Sequence, residues 1–521
     1  MRVRFKRWLF LIHRWLGIAV CAFMAMWFVS GVVMMYVGYP KLTEAERLAH
    51  LPALQGADAL LAPGQALAAA GVDQPLKDLR LSVASGARAV YIAEPETNAP
   101  AGRRAPPRGR DAIVIDAQSG QRLGAVDAAL ALRSAGAYAG MGMSAGTAAP
   151  RYEGTVTEDA FTHSRALDGH RPLHKVQLGD ADGTVLYVSG RTGEVVREAT
   201  RTERLWNYAG AWIHWLYPFR GNAFDPYWTD IVNWLSIVCI AVAITGTVVG
   251  VMRWRFANRY RNGSRSPYAG SMMRWHHVSG LLFAAITLTW IFSGLMSMNP
   301  WRVFDVKAQA VRADVLQGGV WRPGADLAHP RALLAAAGGD TRELRWTRVL
   351  GQPAVLARTG TGATAVLDAR TAQPAPPARE AVISALPRLL DAPVARVETL
   401  TSYDLYYYSR DAHTMTGGGD KPLPILRVVF ADEAHTWVHV DPATAAVLGR
   451  LDTGRRASRW LFAMLHSWDW LPLLTRRPLW DIVLIVLSVG GMALSVTGIV
   501  IGWRRLRHKI GSAAWAMQRG H

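Results

Sequence analysis

Four long apolar stretches constrain this chain more than any other feature of its sequence. Each holds the roughly 20 apolar residues that a helix needs to cross a hydrocarbon core of about 30 Å. They lie at Leu9–Val37, Trp228–Met252, Trp275–Met298 and Trp480–Trp503. The basic start of the first stretch is typical of a signal peptide, but its apolar part is too long and no small-residue cleavage site follows. We therefore predict four membrane-spanning helices, numbered spans 1 to 4, with the first retained as an anchor.

Positive charge is concentrated beside these stretches. The chain carries 58 Lys and Arg against 39 Asp and Glu, a net charge of +19. Residues 1–14, 252–275 and 504–521 supply 16 of these charges and contain no acidic residue. Basic segments that flank spans on one side are typical of cytoplasmic loops rather than of a nucleic-acid surface. This predicts a bacterial inner-membrane protein in the lipid bilayer, with both termini in the cytoplasm and no nucleic-acid partner.

This orientation divides the chain into eight parts. They are span 1 (1–37), a first large segment (38–205), an interfacial helix with span 2 (206–254), a basic loop (255–274), span 3 (275–298), a second large segment (299–458), an interfacial helix with span 4 (459–503) and a basic tail (504–521). Both large segments are predicted to be periplasmic. The predicted fold class is an all-α bundle of four transmembrane helices with two extracytoplasmic α+β domains.

The order of these parts repeats. His13 and His276 each lie 17 residues before a Ser-Gly pair in spans 1 and 3. His214 and His466 each lie 14 residues before a Trp and 31 residues before a Thr-Gly pair in spans 2 and 4. Because self-similarity of this kind indicates repeated architecture, we predict a tandem duplication of one unit, made of a span, a large segment and a second span.

Each large segment contains two copies of a shorter motif. A β-rich run is followed by Asp or Ser, then by Thr or Ser and a small residue, which is typical of hairpin turns. The four copies are Val114–Gly120, Tyr187–Gly193, Val366–Ala372 and His439–Ala445. Helical stretches precede the first and third copies, at Gln65–Ala70 and Arg331–Ala337. We predict two small α+β modules per segment, and a loose loop at Asn98–Arg110, which is rich in Pro, Arg and Gly.

Four histidines are the strongest candidates for function, because an ionisable residue near a membrane span is costly. His13 and His276 lie about one turn inside the cytoplasmic ends of spans 1 and 3. His214 and His466 lie in Trp-containing segments just before spans 2 and 4, at the predicted outer face. The alternatives are helix packing for the first two and an aromatic membrane anchor for the others. An anchor explains the Trp residues but not a histidine at the same spacing twice.

Three residues near the first two histidines are further candidates. Gly17 and Gly280 lie four residues after His13 and His276, on the same helical face. A glycine there leaves room for a flat cofactor or for a close helix. His277 aligns with an arginine in the first copy, so we expect it to support the cofactor indirectly or to contact headgroups.

Two histidines that face each other supply both axial ligands of a b-type haem. Zinc would need four ligands, and no carboxylate or cysteine stands near either pair in the sequence. The two cysteines, Cys21 and Cys239, lie inside the spans, which excludes a disulfide scaffold, a zinc ribbon, an iron–sulfur cluster and covalently attached haem. Copper remains an alternative, because methionines in spans 1 and 3 are soft donors.

These motifs resemble the PepSY-associated transmembrane family. The resemblance rests on His13–Gly17 with Ser30–Gly31, on the copy at His276, on the segments around His214 and His466, and on the hairpins, and it covers nearly the whole chain. Some members are inner-membrane ferric-siderophore reductases with b-type haems. The resemblance implies PepSY-like modules in both large segments, and two haems b with His13, His276, His214 and His466 as axial ligands.

The leading hypothesis is a transmembrane di-haem conduit that reduces a periplasmic acceptor, with Fe(III) in a siderophore or another chelate as the first candidate. A dinucleotide-binding motif, a P-loop and a flavin-sized cytoplasmic domain are all absent from the sequence, so a separate reductase or quinol would supply electrons. Candidate acceptor contacts are Tyr403, Tyr406, Tyr407, Tyr408, Arg410 and His413. The alternative for this tyrosine run is an aromatic-rich strand.

A second hypothesis comes from another functional class. The PepSY-like modules resemble domains implicated in sensing or restraining peptidases, and the spans would then only anchor them in the membrane. A bound haem separates the two hypotheses, because the anchored module has no need of one.

Overall fold

The computed structural model describes residues 2–96, 111–140, 148–411, 413–415 and 421–518. Within these ranges, three helices are long and apolar enough to cross a membrane, and a bent pair of helices forms a possible fourth crossing. The three are Arg2–Tyr36 (span 1), Trp228–Arg253 (span 2) and Leu479–Gln518 (span 4). The bent pair, Ser271–Leu282 and Ala284–Ser297, is span 3. The chain is therefore a multi-pass membrane protein with additional β-sheet domains.

Span 3 differs from the continuous helix that its apolar pattern predicts. It bends by 66° at Phe283, although no proline lies within it. Ser279 and Gly280 precede the bend, and the Ser279 hydroxyl donates to the carbonyl oxygen of Trp275 at 2.7 Å. A Ser-Gly pair and such back-bonding both favour a kink. The Phe283 ring then packs against Gly490 of span 4, where a β-carbon would have no room.

Short helices lead from each large segment into spans 2 and 4. In the first, Arg201–Asn207 continues as a π-helical turn, Tyr208–Trp212. In the second, Thr453–Ser458 continues as a π-helical turn, Arg459–Met464, and then as Leu465–Ser467. The first helix therefore crosses the domain boundary that we predict at residue 205. The helix of span 4 also continues through the described part of the predicted basic tail.

The first large segment contains seven strands and three further helices. The strands are β1 (Leu76–Ala84), β2 (Arg88–Pro95), β3 (Ile113–Asp116), β4 (Ala148–Val156), β5 (Leu173–Gly179), β6 (Val185–Ser189) and β7 (Val195–Ala199). The helices are Glu44–His50, Pro63–Ala69 and Ala128–Gly140.

The second large segment has seven strands and the same general order. The strands are β8 (Thr341–Val349), β9 (Gln352–Thr359), β10 (Thr364–Asp368), β11 (Val394–Leu400), β12 (Ile425–Phe430), β13 (Trp437–Val440) and β14 (Val447–Leu451). The helices are Pro330–Ala337 and Arg379–Ala385, with a short turn of helix at Leu471–Leu474 before span 4. Both helical stretches predicted from the sequence, near residues 65–70 and 331–337, are confirmed.

The two large segments share one sheet, so the prediction of two separate domains is wrong. The order of this six-stranded sheet is β10-β9-β8-β1-β2-β3, with β1 antiparallel to β8. Arg80 pairs with Arg345 at the centre of this join. The pairing satisfies backbone groups that would otherwise be exposed at two sheet edges. Leu79, Leu81 and Trp346 of the two strands are fully buried in one common core.

Each segment also has a four-stranded antiparallel sheet of its own. The orders are β4-β5-β6-β7 and β11-β12-β13-β14. Strands β1 and β8 have the same length, β2 and β9 have the same length, and the burial patterns of each pair nearly coincide. The outer part of the protein is therefore a central shared sheet with one smaller sheet on each side of the sequence.

The four predicted hairpin turns are confirmed. The carboxylate of Asp116 accepts from the backbone N–H groups of two following residues, at 3.0 and 2.9 Å, and Asp368 does the same at 2.8 Å to both. The small residue that ends each motif adopts positive φ, at Gly120, Gly193, Ala372 and Ala445. The predicted loop at Asn98–Arg110 lies outside the described residues.

A buried ionic cluster lies at the join between the segments. Glu343 of β8 is fully buried, and its carboxylate contacts Arg47 at 2.7 Å, Arg80 at 3.4 Å and Arg358 at 3.4 Å. Glu194, between β6 and β7, contacts Arg80 at 2.8 Å. These residues come from both segments, so the cluster couples their relative position to the pairing of buried charges.

Removing the central carboxylate should therefore be costly. We expect Glu343→Gln to lower the free energy of unfolding by about 3–5 kcal/mol, because it leaves buried arginines without their counter-charge. Chemical denaturation of the purified protein in detergent measures this loss. The control is Glu398→Gln, which changes a half-exposed carboxylate paired with exposed Arg396 and should change the stability little. Equal stability for both variants would contradict the role of the cluster.

A loop of the second segment holds the end of span 1. The carbonyl oxygen of His413 accepts from the backbone N–H of Gly38 at 2.5 Å, and the N–H of Met415 donates to the carbonyl of Met35 at 3.0 Å. The imidazole of His413 lies 3.3 Å from Glu203 and 2.5 Å from Glu46, both in the first segment. Hydrogen bonds to Glu203 and then to Glu46 raise the pKa of His413 to about 9.

This raised pKa predicts a pH-dependent contribution to stability. Because the folded-state pKa of His413 exceeds the ordinary value of 6.5, its stabilising contribution is complete below pH 6.5 and is lost as the pH rises through about 9. We expect the melting temperature of the wild type to fall across this window more steeply than that of His413→Gln. Parallel pH profiles for the two proteins would contradict the prediction.

Candidate functional site

The four predicted histidines come together as two pairs. His13 of span 1 faces His276 of span 3, with ring centroids 6.2 Å apart. His214 and His466, in the helical turns before spans 2 and 4, have ring centroids 6.1 Å apart. We call these the 13/276 pair and the 214/466 pair. Because His214 contacts Ser30, which lies 17 residues after His13 in span 1, the pairs are about 25 Å apart along the helix axis.

The 13/276 pair is oriented by carbonyl groups of spans 2 and 4. Nδ1 of His13 lies 3.2 Å from the carbonyl oxygen of Val242 in span 2. Nδ1 of His276 lies 3.3 Å from the carbonyl oxygen of Leu494 in span 4, and 3.1 Å from the hydroxyl of Thr497. A carbonyl oxygen can only accept, so Nδ1 carries the proton in both rings.

The 214/466 pair is oriented by serines of spans 1 and 3. Nδ1 of His214 lies 2.9 Å from the Ser30 hydroxyl, and Nδ1 of His466 lies 3.0 Å from the Ser293 hydroxyl. Each hydroxyl already donates to a carbonyl oxygen of its own helix, at 2.7 Å from Ser30 and 2.9 Å from Ser293. A hydroxyl has one proton, so both serine oxygens accept from a protonated Nδ1.

All four rings therefore have the same tautomer when they are neutral. The proton is on Nδ1 and the lone pair is on Nε2, which is the form that binds a metal through Nε2. Among the described residues, none of the four Nε2 atoms has a hydrogen-bond partner. The protein orients one nitrogen of each ring and leaves the other available.

A glycine lies against the edge of each imidazole. A β-carbon at Gly246 would lie 2.5 Å from Cε1 of His13, and one at Gly498 would lie 3.4 Å from Cε1 of His276. At Gly31 and Gly294, a β-carbon would lie 3.6 Å from Cε1 of the histidine in the 214/466 pair. The residues that hold the rings are thus Ser-Gly pairs in spans 1 and 3 and Thr-Gly pairs in spans 2 and 4. Their repeated spacing was the only signal of this role in the sequence.

The structure gives Gly17 and Gly280 a different environment from these four glycines. A β-carbon at Gly17 would meet Val242 at 3.8 Å, and one at Gly280 would meet Leu494 at 3.4 Å. Val242 and Leu494 are the residues whose carbonyl groups accept from His13 and His276. Of the two roles that we considered for these glycines, the contacts match the close approach of a neighbouring helix.

His277 has no free nitrogen for a metal. Its Nδ1 lies 2.8 Å from the Ser266 hydroxyl, and its Nε2 lies 2.8 Å from the carbonyl oxygen of Gly250. The ring also contacts Trp254 and Tyr268, with centroids 5.7 and 5.4 Å away. His277 therefore ties the basic loop to the end of span 2, and its inclusion among the cofactor-binding residues has no support in these contacts.

The spacing of both pairs fits a shared metal. Two imidazoles on one metal have centroids about 6 Å apart, because each metal–nitrogen bond is about 2 Å and each nitrogen lies about 1 Å from its centroid. Within the described ranges, no three His, Cys, Asp or Glu side chains come together as a metal site. A pair of imidazoles suits haem iron, whose other four ligands come from the porphyrin, better than zinc with its four protein ligands.

Buried polar atoms without partners surround the 214/466 pair. Asn207, seven residues before His214, is fully buried, and neither its amide oxygen nor its nitrogen has a partner in the described chain. The same holds for Nε of Arg410, whose Nη2 lies 3.2 Å from Ser467. Since an unpaired buried polar group is costly, these atoms fit a ligand with polar groups, as haem is through its propionates.

Span 3 carries a further unpaired group close to this pair. The indole nitrogen of Trp290 has no partner among the described residues. The equivalent Trp27 of span 1 donates its indole N–H to the carbonyl oxygen of His214 at 2.9 Å. The two spans thus present matched histidine-binding serines but differ in this tryptophan.

The predicted acceptor residues lie in the connection between β11 and β12, and not in a strand. Their hydroxyls bond inside the protein: Tyr403 donates to Lys421, Tyr407 to Pro422 and Tyr408 to Asp469, while Tyr406 accepts from Trp460. His413 is held between two glutamates. Arg410 alone among the six is in contact with the residue next to His466.

The comparisons with known proteins give one match. The family model described as the PepSY-associated TM region matches residues 10–430, which include His13, His214 and His276 but not His466. No curated protein matches the chain. Because the matched region covers most of the 521 residues, the chain belongs to the PepSY-associated transmembrane family.

Proposed function

We propose that the protein carries electrons across the membrane through two haems b, one at each histidine pair, and reduces a periplasmic acceptor. The observation that supports this most is that both pairs combine a metal-compatible spacing of 6.2 and 6.1 Å with Nδ1 atoms already committed to the protein. Haem iron supplies one-electron chemistry when it is bound. The chain's own residues supply its two axial nitrogens at each site and their orientation.

The histidines would be ligands of defined geometry because a second layer of groups holds them. The carbonyl groups of Val242 and Leu494 hold the 13/276 pair, and the hydroxyls of Ser30 and Ser293 hold the 214/466 pair. Such partners fix the ring orientation and make the free nitrogen more basic. Glycines at the ring edges let neighbouring helices approach without displacing the imidazoles.

We propose an orientation with both termini in the cytoplasm and both large segments in the periplasm of a bacterial inner membrane. The shared sheet supports it, because segments that pair strands must lie on the same side of the membrane. Span 3 would then cross the membrane as one broken helix, and the acid-free basic stretches would lie on the opposite side. The 214/466 pair would lie near the periplasmic face.

We also propose that the chain arose by tandem duplication of a unit made of a span, a large segment and a second span. The equivalent partners of the histidines support this, as do the near-identical burial patterns of β1 and β8 and of β2 and β9. Arg80 and Arg345, which pair with each other, occupy the same position of β1 and β8. Duplication explains why four histidines form two pairs of the same kind.

Fe(III) in a siderophore or another chelate is the acceptor that we propose. Each Fe(III) would take up one electron and become Fe(II), which is less charged and is held more weakly by hard oxygen donors. The electrons would come from a separate reductase or from quinol at the cytoplasmic side. Near the 214/466 pair, Arg410 and Asn207 have polar atoms without partners in the described chain, so they would face any polar ligand there.

The first test is the haem content of two matched variants. Wild-type protein should show a reduced-minus-oxidised b-type spectrum and about two haems per chain by pyridine haemochrome. We expect His466→Ala to lower this to about one haem per chain. His277→Gln is the control, because both nitrogens of His277 are bonded to the protein, and it should keep both haems.

Two outcomes would contradict the proposal. If His466→Ala keeps both haems with an unchanged spectrum, the 214/466 assignment is wrong. If folded wild-type protein from haem-replete cells is colourless, the non-enzymatic PepSY module that senses or restrains a periplasmic peptidase becomes the better reading.

The second test concerns the acceptor. Dithionite-reduced protein is mixed in a stopped-flow instrument with ferric chelates or with cupric salts, and reoxidation is followed in the haem spectrum. We expect ferric chelates to reoxidise the wild type, and His466→Ala to lose this reaction because its periplasmic haem is missing. Reoxidation by cupric salts alone, or equal rates in the wild type and His466→Ala, would contradict a ferric reductase.

A further inference from the structure

Arg197 is a buried cation without a counter-charge. It lies in β7, and only 5% of its surface is exposed. Within the described part of the chain its side chain has no hydrogen bond and no ion pair. Its only printed neighbour in contact geometry is the ring of Tyr39, whose centroid lies 5.6 Å from the guanidinium carbon. Burying a charge without partners is costly, so this arrangement needs an explanation.

The other deeply buried arginines of the outer domains are paired. Arg427 is as buried as Arg197, with 5% exposure, but its two Nη atoms contact Asp404 at 2.6 and 3.0 Å. Arg47 and Arg80 contact the buried carboxylate of Glu343. The fold therefore supplies carboxylates to its buried arginines elsewhere. Arg197 is a site where the described chain supplies none.

The charges around Arg197 leave it short of negative charge. Burial lowers the pKa of Arg197, and Arg171 acts in the same direction, while Tyr39, Tyr187 and Asp159 act against it. The carboxylate of Asp159 already accepts from the Tyr187 hydroxyl at 2.7 Å. Lys41, an exposed residue, also lies close enough to repel Arg197 electrostatically. An anion placed here would be attracted by several cations at once.

The site lies where the first segment meets the membrane. Tyr39 follows span 1 directly, and its ring contacts Trp215 and Tyr217, with centroids 5.6 and 6.1 Å away. Tyr217 in turn contacts Trp228 at the start of span 2. Tyrosine and tryptophan are enriched at the headgroup level of a bilayer. Arg197 is therefore next to an aromatic group of the kind that marks the membrane surface.

We propose that Arg197, with Lys41, binds an oxyanion at this boundary: a phosphate or carboxylate group. A guanidinium can donate two parallel hydrogen bonds to such a group, and Lys41 adds a second positive charge from the solvent side. The group can come from a phospholipid headgroup or from a soluble anion. This site is separate from the histidine pairs, so it does not depend on the proposed haem function.

The test compares the melting temperature of the purified, delipidated protein with and without inorganic phosphate at constant ionic strength. Wild-type protein should show a saturable rise, because a ligand that binds only the folded state stabilises it. Arg197→Met should melt at the same temperature as the wild type or higher when no phosphate is present, because an unpaired buried charge has been removed. It should show no response to phosphate.

Two further variants make the result specific. Arg427→Met is the matched control: it removes an equally buried but paired arginine, so it should melt at a lower temperature and keep the response to phosphate. Lys41→Met should weaken phosphate binding by about tenfold through the loss of one charge-assisted contact. If the wild type does not respond to phosphate or to lipid, or if Arg197→Met responds as the wild type does, the proposal is overturned.

A lipid arm distinguishes the two sources. A short-chain phosphatidic acid should stabilise the wild type at a far lower concentration than inorganic phosphate if the ligand is a headgroup, and at a similar concentration if it is a soluble anion. In either case the effect of the lipid must disappear in Arg197→Met.

Discussion

The structure depends on how four imidazoles share their hydrogen bonds. Each ring gives its Nδ1 proton to a group on a neighbouring span, either a carbonyl oxygen, as for His13, or a serine hydroxyl whose own proton is already used, as for His214. That choice fixes the tautomer and leaves Nε2 available. It also fixes the rotation of each helix, because the acceptor and the glycine beside the ring must face the histidine together. Helix packing and ligand geometry are thus set by the same contacts.

The shared six-stranded sheet has the complementary role outside the spans. Spans 1 and 3 must approach for the histidines to pair, and each is joined to one large segment. The pairing of β1 with β8 and the ionic cluster around Glu343 hold those segments in one register. The loop at His413 adds a direct contact to the end of span 1. The outer domains therefore limit how far the two halves can move apart, which an anchored but independent pair of domains would not do.

Polar groups without partners are the informative exceptions in this fold. Most buried charges are matched, as Arg427 is by Asp404. The unmatched groups lie in two places: Asn207, Arg410 and Trp290 near the 214/466 pair, and Arg197 at the membrane boundary. Because burial without a partner is costly, these places are where ligands are to be sought. They are also places where single substitutions separate a ligand contact from a structural one.

The sequence by itself determined the elements that depend on local pattern. Apolar length predicted spans 1, 2 and 4, turn chemistry predicted hairpins such as Val114–Gly120, and matched spacing singled out the four histidines. Only the tertiary structure decided that the large segments share a sheet, that span 3 breaks at Phe283, that Gly246 and Ser30 rather than Gly17 lie at the imidazoles, and that both nitrogens of His277 are used. The reason is physical: spacing along the chain records which residues lie on one face of one element, whereas strand pairing, kinks and side-chain partners depend on a second element that may be hundreds of residues away.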